Sequence, residues 1–235
     1  MKKLITVVIA SLFSLCMFTI ANAGEVYGTQ TGGAIGVSMN KQGFGAYGKE
    51  TNGTAVTEEY GAFGDTYASV FAEFSFGNGL SLGVEYAPGT ISTPTNTNVQ
   101  QNGSTGGAKT VDQGNTTGGT AATNTVKAEF DNLYTLYVMA QSEMGVYARV
   151  GFSSVDINTQ ETLGTGGSYN NVNTDGGTVA FGYQKTNDGG IFVRAEVAGT
   201  VWDDVSASNT TDSTKIIKIS DMMSGGASIK IGKIF

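Results

Sequence analysis

Residues 68–86 read ASVFAEFSFGNGLSLGVEY, and the fold is decided here. Taken in alternation, Ala68, Val70, Ala72, Phe74 and Phe76 make one apolar face, while Ser69, Glu73 and Ser75 fall on the other. A period of two is the period of a β-strand, whose successive side chains point to opposite sides. Asn78-Gly79 is a strong hairpin signal. After it the apolar face resumes with Leu80, Leu82, Val84 and Tyr86, opposite Ser81, Gly83 and Glu85.

The same pattern recurs along the chain. Phe130, Tyr134, Leu136 and Val138 lead to a turn near Gln141 to Gly145, followed by Val146, Ala148, Val150 and Phe152. Lys127, Glu129, Asp131, Thr135 and Arg149 are expected on the opposite side of that hairpin. A third hairpin has Val179, Phe181 and Tyr183, a turn at Asn187-Asp188-Gly189-Gly190, then Ile191, Val193, Ala195 and Val197, with Gln184, Arg194 and Glu196 alternating. The first strand, Ile35, Val37 and Met39, and the last, Ala227, Ile229, Ile231 and Phe235, remain to pair with each other. Their pairing closes a cylinder of eight strands. The reading is an all-β, eight-stranded antiparallel up-and-down barrel covering residues 24–235.

Ahead of it, Lys2 and Lys3, the apolar run Leu4 to Ile20 and the small-x-small site Ala21-Asn22-Ala23 form an export signal, residues 1–23, expected to be cleaved. The one cysteine, Cys16, lies inside it, so no disulfide is expected in the mature chain. Removing Lys2 and Lys3 from the 13 basic residues leaves 11 against 20 acidic ones, a net charge of −9. Nucleic acid is therefore not an expected partner, because phosphate binding needs clustered Lys and Arg. No apolar stretch beyond the signal is long enough for a spanning helix, so a mature chain that spans a membrane must do so as a closed barrel.

Connections alternate in length. Three tight turns separate four longer segments near 49–65, 88–125, 158–176 and 204–214, as short periplasmic turns and long outer loops require. A soluble sandwich or lipocalin-like barrel would show similar alternation with the faces reversed. Three features favour a transmembrane barrel: balanced charge on the polar faces, Phe and Tyr near strand ends, and a terminal aromatic on an alternating strand. The balanced charges are Glu73, Glu85 and Glu196 against Arg149, Arg194 and Lys230, and these six are expected to form an interior ion network.

The signal, the eight alternating strands and the closing segment Ser228-Ile229-Lys230-Ile231-Gly232-Lys233-Ile234-Phe235 together resemble the small outer-membrane barrels of the OmpA/OmpX and Opa-like kind. The resemblance implies location in the outer membrane of a Gram-negative-type cell as a monomer, with lipid and lipopolysaccharide around it. It also implies help from periplasmic chaperones and the barrel-insertion machinery, which would read Ala227, Ile229, Ile231 and Phe235. Lys233 departs from the apolar alternation, a position from which its ammonium can snorkel to the headgroups.

Chemistry is narrowed by what the chain lacks. With no histidine, general-base activation near neutral pH would need a strongly displaced carboxylate or lysine. Asp203-Asp204 and Glu58-Glu59 read as solvated loop charges. Without His, and with Cys16 in the signal, the usual zinc and copper sites have no ligands. Asp203, Asp204 and Asp212 fit no established calcium loop. No catalytic residue, metal ligand or cofactor is assigned. An eight-stranded barrel is just wide enough for its side chains to fill, so a plugged structural barrel is expected, with a narrow porin-like channel as the alternative. The second connection, rich in Thr, Asn, Gly, Gln, Ser and Ala, cannot bury enough apolar area to order itself. It is expected to be mobile, and with the Gly164 to Gly177 loop around Tyr169 it is the expected surface for adhesion or recognition.

Overall fold

The computed structural model describes residues 31–102, 108–110, 121–163 and 167–235. Residues 1–23, expected to be an export signal, lie outside the described residues, as do parts of the second connection. Among the described residues there are twelve strands: β1 Gly32–Asn52, β2 Ala55–Ser75, β3 Leu80–Ala87, β4 Ile91–Ser92, β5 Asn96–Asn102, β6 Ala108–Thr110, β7 Ala121–Gln141, β8 Val146–Thr162, β9 Val172–Thr186, β10 Ile191–Trp202, β11 Val205–Ser208 and β12 Lys215–Ile234. Eight of them form a closed antiparallel ring in the order β1, β2, β3, β7, β8, β9, β10, β12. Closure runs through the chain ends, with Val37 opposite Ile231 and Met39 opposite Ile229. A closed ring leaves no unpaired edge at membrane depth, the condition for a sheet to span lipid.

The tight turns sit where alternation breaks off. Gly77 and Gly79, Gly145 and Gly190 all have positive φ, a backbone state open to glycine at no steric cost. The apolar positions of the lower wall face out: Phe74, Leu82 and Val193 are 44–47 % exposed, whereas Arg149, Arg194 and Glu196 are 4–7 % exposed. This is the inverse of a soluble barrel.

The expected connection near 49–65 is instead mostly strand. β1 and β2 remain paired up to Asn52 opposite Ala55, around a turn at Gly53 and Thr54. β1, β2 and β7 have 21 residues each and β12 has 20. A tilted strand needs only about 9–11 residues to cross the hydrocarbon. About half of the tall wall therefore stands beyond the bilayer.

Two β-bulges mark the change. In β7 one extra residue lies between Asp131 and Tyr134, where Asn132 has φ 54°. In β12 one lies opposite Gly45 and Tyr47, where Asp221 has φ 51°. A one-residue insertion moves every later side chain to the other face. Phe130, expected to face lipid beside Tyr134, consequently points inward and packs on the core of Val155, Ile157, Val205 and Met222. Glu129 and Asp131, expected inside, instead accept hydrogen bonds from Gln160 and Asn158, and Lys127 pairs with Glu129. The alternation of β7 is regular on each side of Asn132 but out of phase across it.

Candidate functional site

The lumen is layered. In its lower half the six charged residues named from the sequence lie together. Arg194 on β10 grips Glu73 on β2 with both terminal nitrogens, at 2.5 and 2.6 Å, and donates Nε to Gln184 at 2.6 Å. Arg149 on β8 reaches Glu85 at 2.9 Å and Glu196 at 2.6 Å. Lys230 on β12 lies 2.6 Å from Glu85 and 3.3 Å from Glu196. Arg194 and Lys230 are direct cross-strand neighbours. Such a pair of like charges is unfavourable unless carboxylates lie between or beside them, and Glu73, Glu85 and Glu196 supply those. Three cations and three carboxylates leave the group neutral.

Four aromatic residues complete this layer, and the sequence reading did not single them out. Tyr137 donates its hydroxyl to Glu73 at 2.5 Å and Tyr147 to Glu196 at 3.0 Å. The Arg194 guanidinium lies 4.5 Å from the Phe192 ring centroid and 5.6 Å from that of Phe71; Arg149 lies 4.5 Å from that of Tyr137. Each ring occupies space left by a glycine directly opposite on the next strand: Phe71 by Gly36, Tyr137 by Gly83, Tyr147 by Gly182 and Phe192 by Gly232. A Cβ on any of these glycines would collide with the ring. The available signal is an aromatic on the polar parity of a strand facing a glycine, visible only once register is known.

Above the ions runs a belt of hydroxyls: Thr135 to Ser153 at 2.7 Å, Ser153 to Thr178 at 2.6 Å and Thr178 to Thr200 at 2.7 Å, across β7, β8, β9 and β10. On the other wall Asn40 donates to Ser69 at 2.9 Å and Ser69 to Glu85 at 2.6 Å. Buried hydroxyls and amides thus satisfy one another around the lumen.

The third layer is apolar. A cavity of about 520 Å³ lies within the outer wall, lined by Phe44, Phe63, Phe130, Val155, Ile157 and Met222 among others. Phe44, Phe63 and Phe130 stack with centroids 4.9–5.9 Å apart. On the outside of this half polar contacts stand beside exposed Val56, Tyr60 and Ile216. Lys49 pairs with Glu58, whose carboxyl is held below its ordinary range first by the Tyr47 hydroxyl and then by Lys49. Asp156 is likewise held low by hydrogen bonds from Asn132 and Asn173. Tyr169 folds over the rim, with its hydroxyl on Glu50 at 3.0 Å; burial and then the Glu50 charge raise its pKa.

Of the remaining residues named from the sequence, Ile229 and Ile231 are exposed on the outer face of β12 with Ala227 beside them, and Phe235 is exposed just past its end. Asp204 lies 3.9 Å from Lys218 and Asp212 3.9 Å from Lys215. Among the described residues no three carboxylates gather into a metal-sized group.

This geometry defines a small transmembrane β-barrel of the outer-membrane kind. No protein family matches the chain by sequence, and no curated protein does. Among solved structures it is similar to OprG, an outer membrane protein of Pseudomonas aeruginosa, with TM-score 0.51 and 12 % identity over 87 % of this chain and 97 % of that one. Ail, the attachment invasion locus protein of Yersinia pestis, aligns at TM-score 0.39 and 8 % identity over 87 % of this chain and 99 % of its own. The outer membrane protease OmpT of Escherichia coli aligns at 0.44 and 9 % over 87 % and 97 %. At such identity the likeness to OprG concerns the fold.

Proposed function

We propose that this chain is a non-enzymatic, monomeric barrel of the outer membrane, exported by its residues 1–23 and sealed against free diffusion by its interior ions. It would stiffen the outer membrane and present its outer extensions for adhesion or recognition. The observation that carries the reading is the two-nitrogen grip of Arg194 on Glu73, which joins β10 to β2 across the lumen. Arg149 and Lys230 extend this bond set to Glu85 and Glu196, so an ion entering the lumen would meet side chains already engaged with one another. Absence of histidine supports the non-enzymatic half, since no side chain has an ordinary pKa suited to base catalysis near neutrality. Insertion would be directed by Ala227, Ile229, Ile231 and Phe235, whose side chains occupy the lipid parity of β12.

Conductance tests the seal. Wild-type protein in planar bilayers is expected to show no steady openings, and Arg194→Ala to introduce them. Steady porin-like conductance of the wild type would instead make the chain a narrow channel for ions or small solutes.

A further inference from the structure

The apolar chamber is not needed for the seal below it, and its composition runs against the rest of the lumen. We propose that it is a binding site for an uncharged, mainly hydrocarbon molecule of small-ligand size, which enters sideways between β2 and the β4–β5 segment. The inference rests on the barrel fold and is independent of whether the ion layer conducts.

Four observations carry it. First, the volume of about 520 Å³ falls in the range of about 300–1,000 Å³ typical of ligand pockets. Second, a cavity of this lining has no good empty state: dry, its walls lose dispersion contacts, and wet, its waters find few polar partners. Third, the segment that joins β5 to β7 is poor in side chains that could fill it. Residues 103–120, between β5 and β7, read GSTGGAKTVDQGNTTGGT, in which Val111 is the largest aliphatic side chain. Fourth, among the described residues the lining holds a single charged residue, Lys127, which is already engaged by Glu129 at 2.7 Å. The ion layer beneath is neutral, so neither end of the chamber calls for a charged ligand.

The route in follows from strand pairing. β2 is hydrogen-bonded to β3 only as far as Val70 opposite Tyr86. Above that point, among the described residues, β2 has no backbone ladder on this side; β4 and β5 pair with β7 instead. The Ser92 amide donating to the Asp65 carboxylate at 3.2 Å bridges the two walls. Both prolines of the chain, Pro88 and Pro94, lie in this stretch, and neither can donate to a ladder. Pro94 itself lines the chamber together with Gly61, Ala62 and Phe63 of the unladdered edge.

Trp202, the only tryptophan of the chain, also lines the chamber and reports on it. The full mature chain is refolded into phosphatidylcholine nanodiscs and its fluorescence followed in two arms: bromobenzene titrated from water, and tails brominated in the lipid itself. Saturable quenching by bromobenzene, reaching half the signal or more, is the expected result for a ligand from the aqueous side. Quenching of the same depth in the brominated-tail arm marks a bilayer acyl chain as the occupant. Either supports the site. Ala46→Phe and Ala128→Phe, which fill the chamber from opposite walls, are each expected to weaken quenching at least fivefold while retaining heat-modifiable gel mobility. If neither variant folds, the shape of the wild-type titration decides. Linear, unsaturable quenching together with a silent lipid arm, or filled variants that fold and quench like wild type, overturns the proposal.

Discussion

The lower and outer halves of this barrel are built from the same strands with opposite chemistry. Below the bulges at Asn132 and Asp221 the wall is apolar outside, and its interior holds Glu73, Glu85, Glu196, Arg149, Arg194 and Lys230. Above them Phe44, Phe63 and Phe130 stack inside, while Lys49, Glu58, Glu129 and Asp131 make polar contacts outside. The difference teaches that the surroundings decide which face is greasy. Lipid makes an apolar exterior favourable and water makes it unfavourable; in β7 a single inserted residue turns Phe130 inward where the wall leaves the bilayer, whereas Phe44 and Phe63 lie on the unbroken interior parity of β1 and β2.

The lower half should be the more sensitive to loss of a partner. Arg194→Ala leaves Glu73 buried with only the Tyr137 hydroxyl, and removing one member of a buried pair costs about 3–5 kcal/mol. Urea unfolding of the refolded barrel in vesicles is the measurement. A cost below about 1 kcal/mol would mean that water enters this layer and solvates Glu73.

Next in size is a contrast between the two exteriors. Leu136→Arg, on the lipid face of β7, is expected to cost about 2–4 kcal/mol, as an arginine near the bilayer midplane does. Gln160→Arg, on the outer half of β8 beside Glu129, is expected to stay within about 0.5 kcal/mol, as substitutions on a wetted surface do. Equal costs at the two sites would erase the distinction between the halves. Smaller again is Gly182→Ala, whose new methyl meets the Tyr147 ring and should cost about 1–3 kcal/mol by overpacking. Adding Tyr147→Ala should make the double variant less costly than the sum of the two single changes.

The strand pattern was legible because Phe74 with Leu82, and Val193 with Ile231, keep strict parity wherever lipid covers one face. The charged residues of the lumen were legible for the same reason: each sits on the polar parity of its own strand. Phe130 was not, because its parity is counted from the same strand as Tyr134 while Asn132 inserts a residue between them. Nothing in a period-two reading distinguishes that asparagine from any other exposed polar residue; its positive φ is a property of the paired backbone. The aromatic and glycine pairs were hidden for a related reason. Tyr147 and Gly182 are 35 positions apart in the numbering and meet only through the register of β8 with β9. The outer half reads as loop because its strands are held by pairing that composition does not reveal.

The exchange of faces can be measured strand by strand, because the only cysteine of the chain is Cys16 and none occurs from residue 24 on, so single cysteines can be placed freely in the barrel strands. Spin labels at positions 127–139 of β7, in vesicles, are compared for access to oxygen, which concentrates in lipid, and to a water-soluble nickel chelate. Oxygen access is expected at 134, 136 and 138, nickel access at 129 and 131, and low access to both reagents at 128 and 130. One unbroken alternation through position 132, with 130 as open to oxygen as 134, would contradict the exchange of faces.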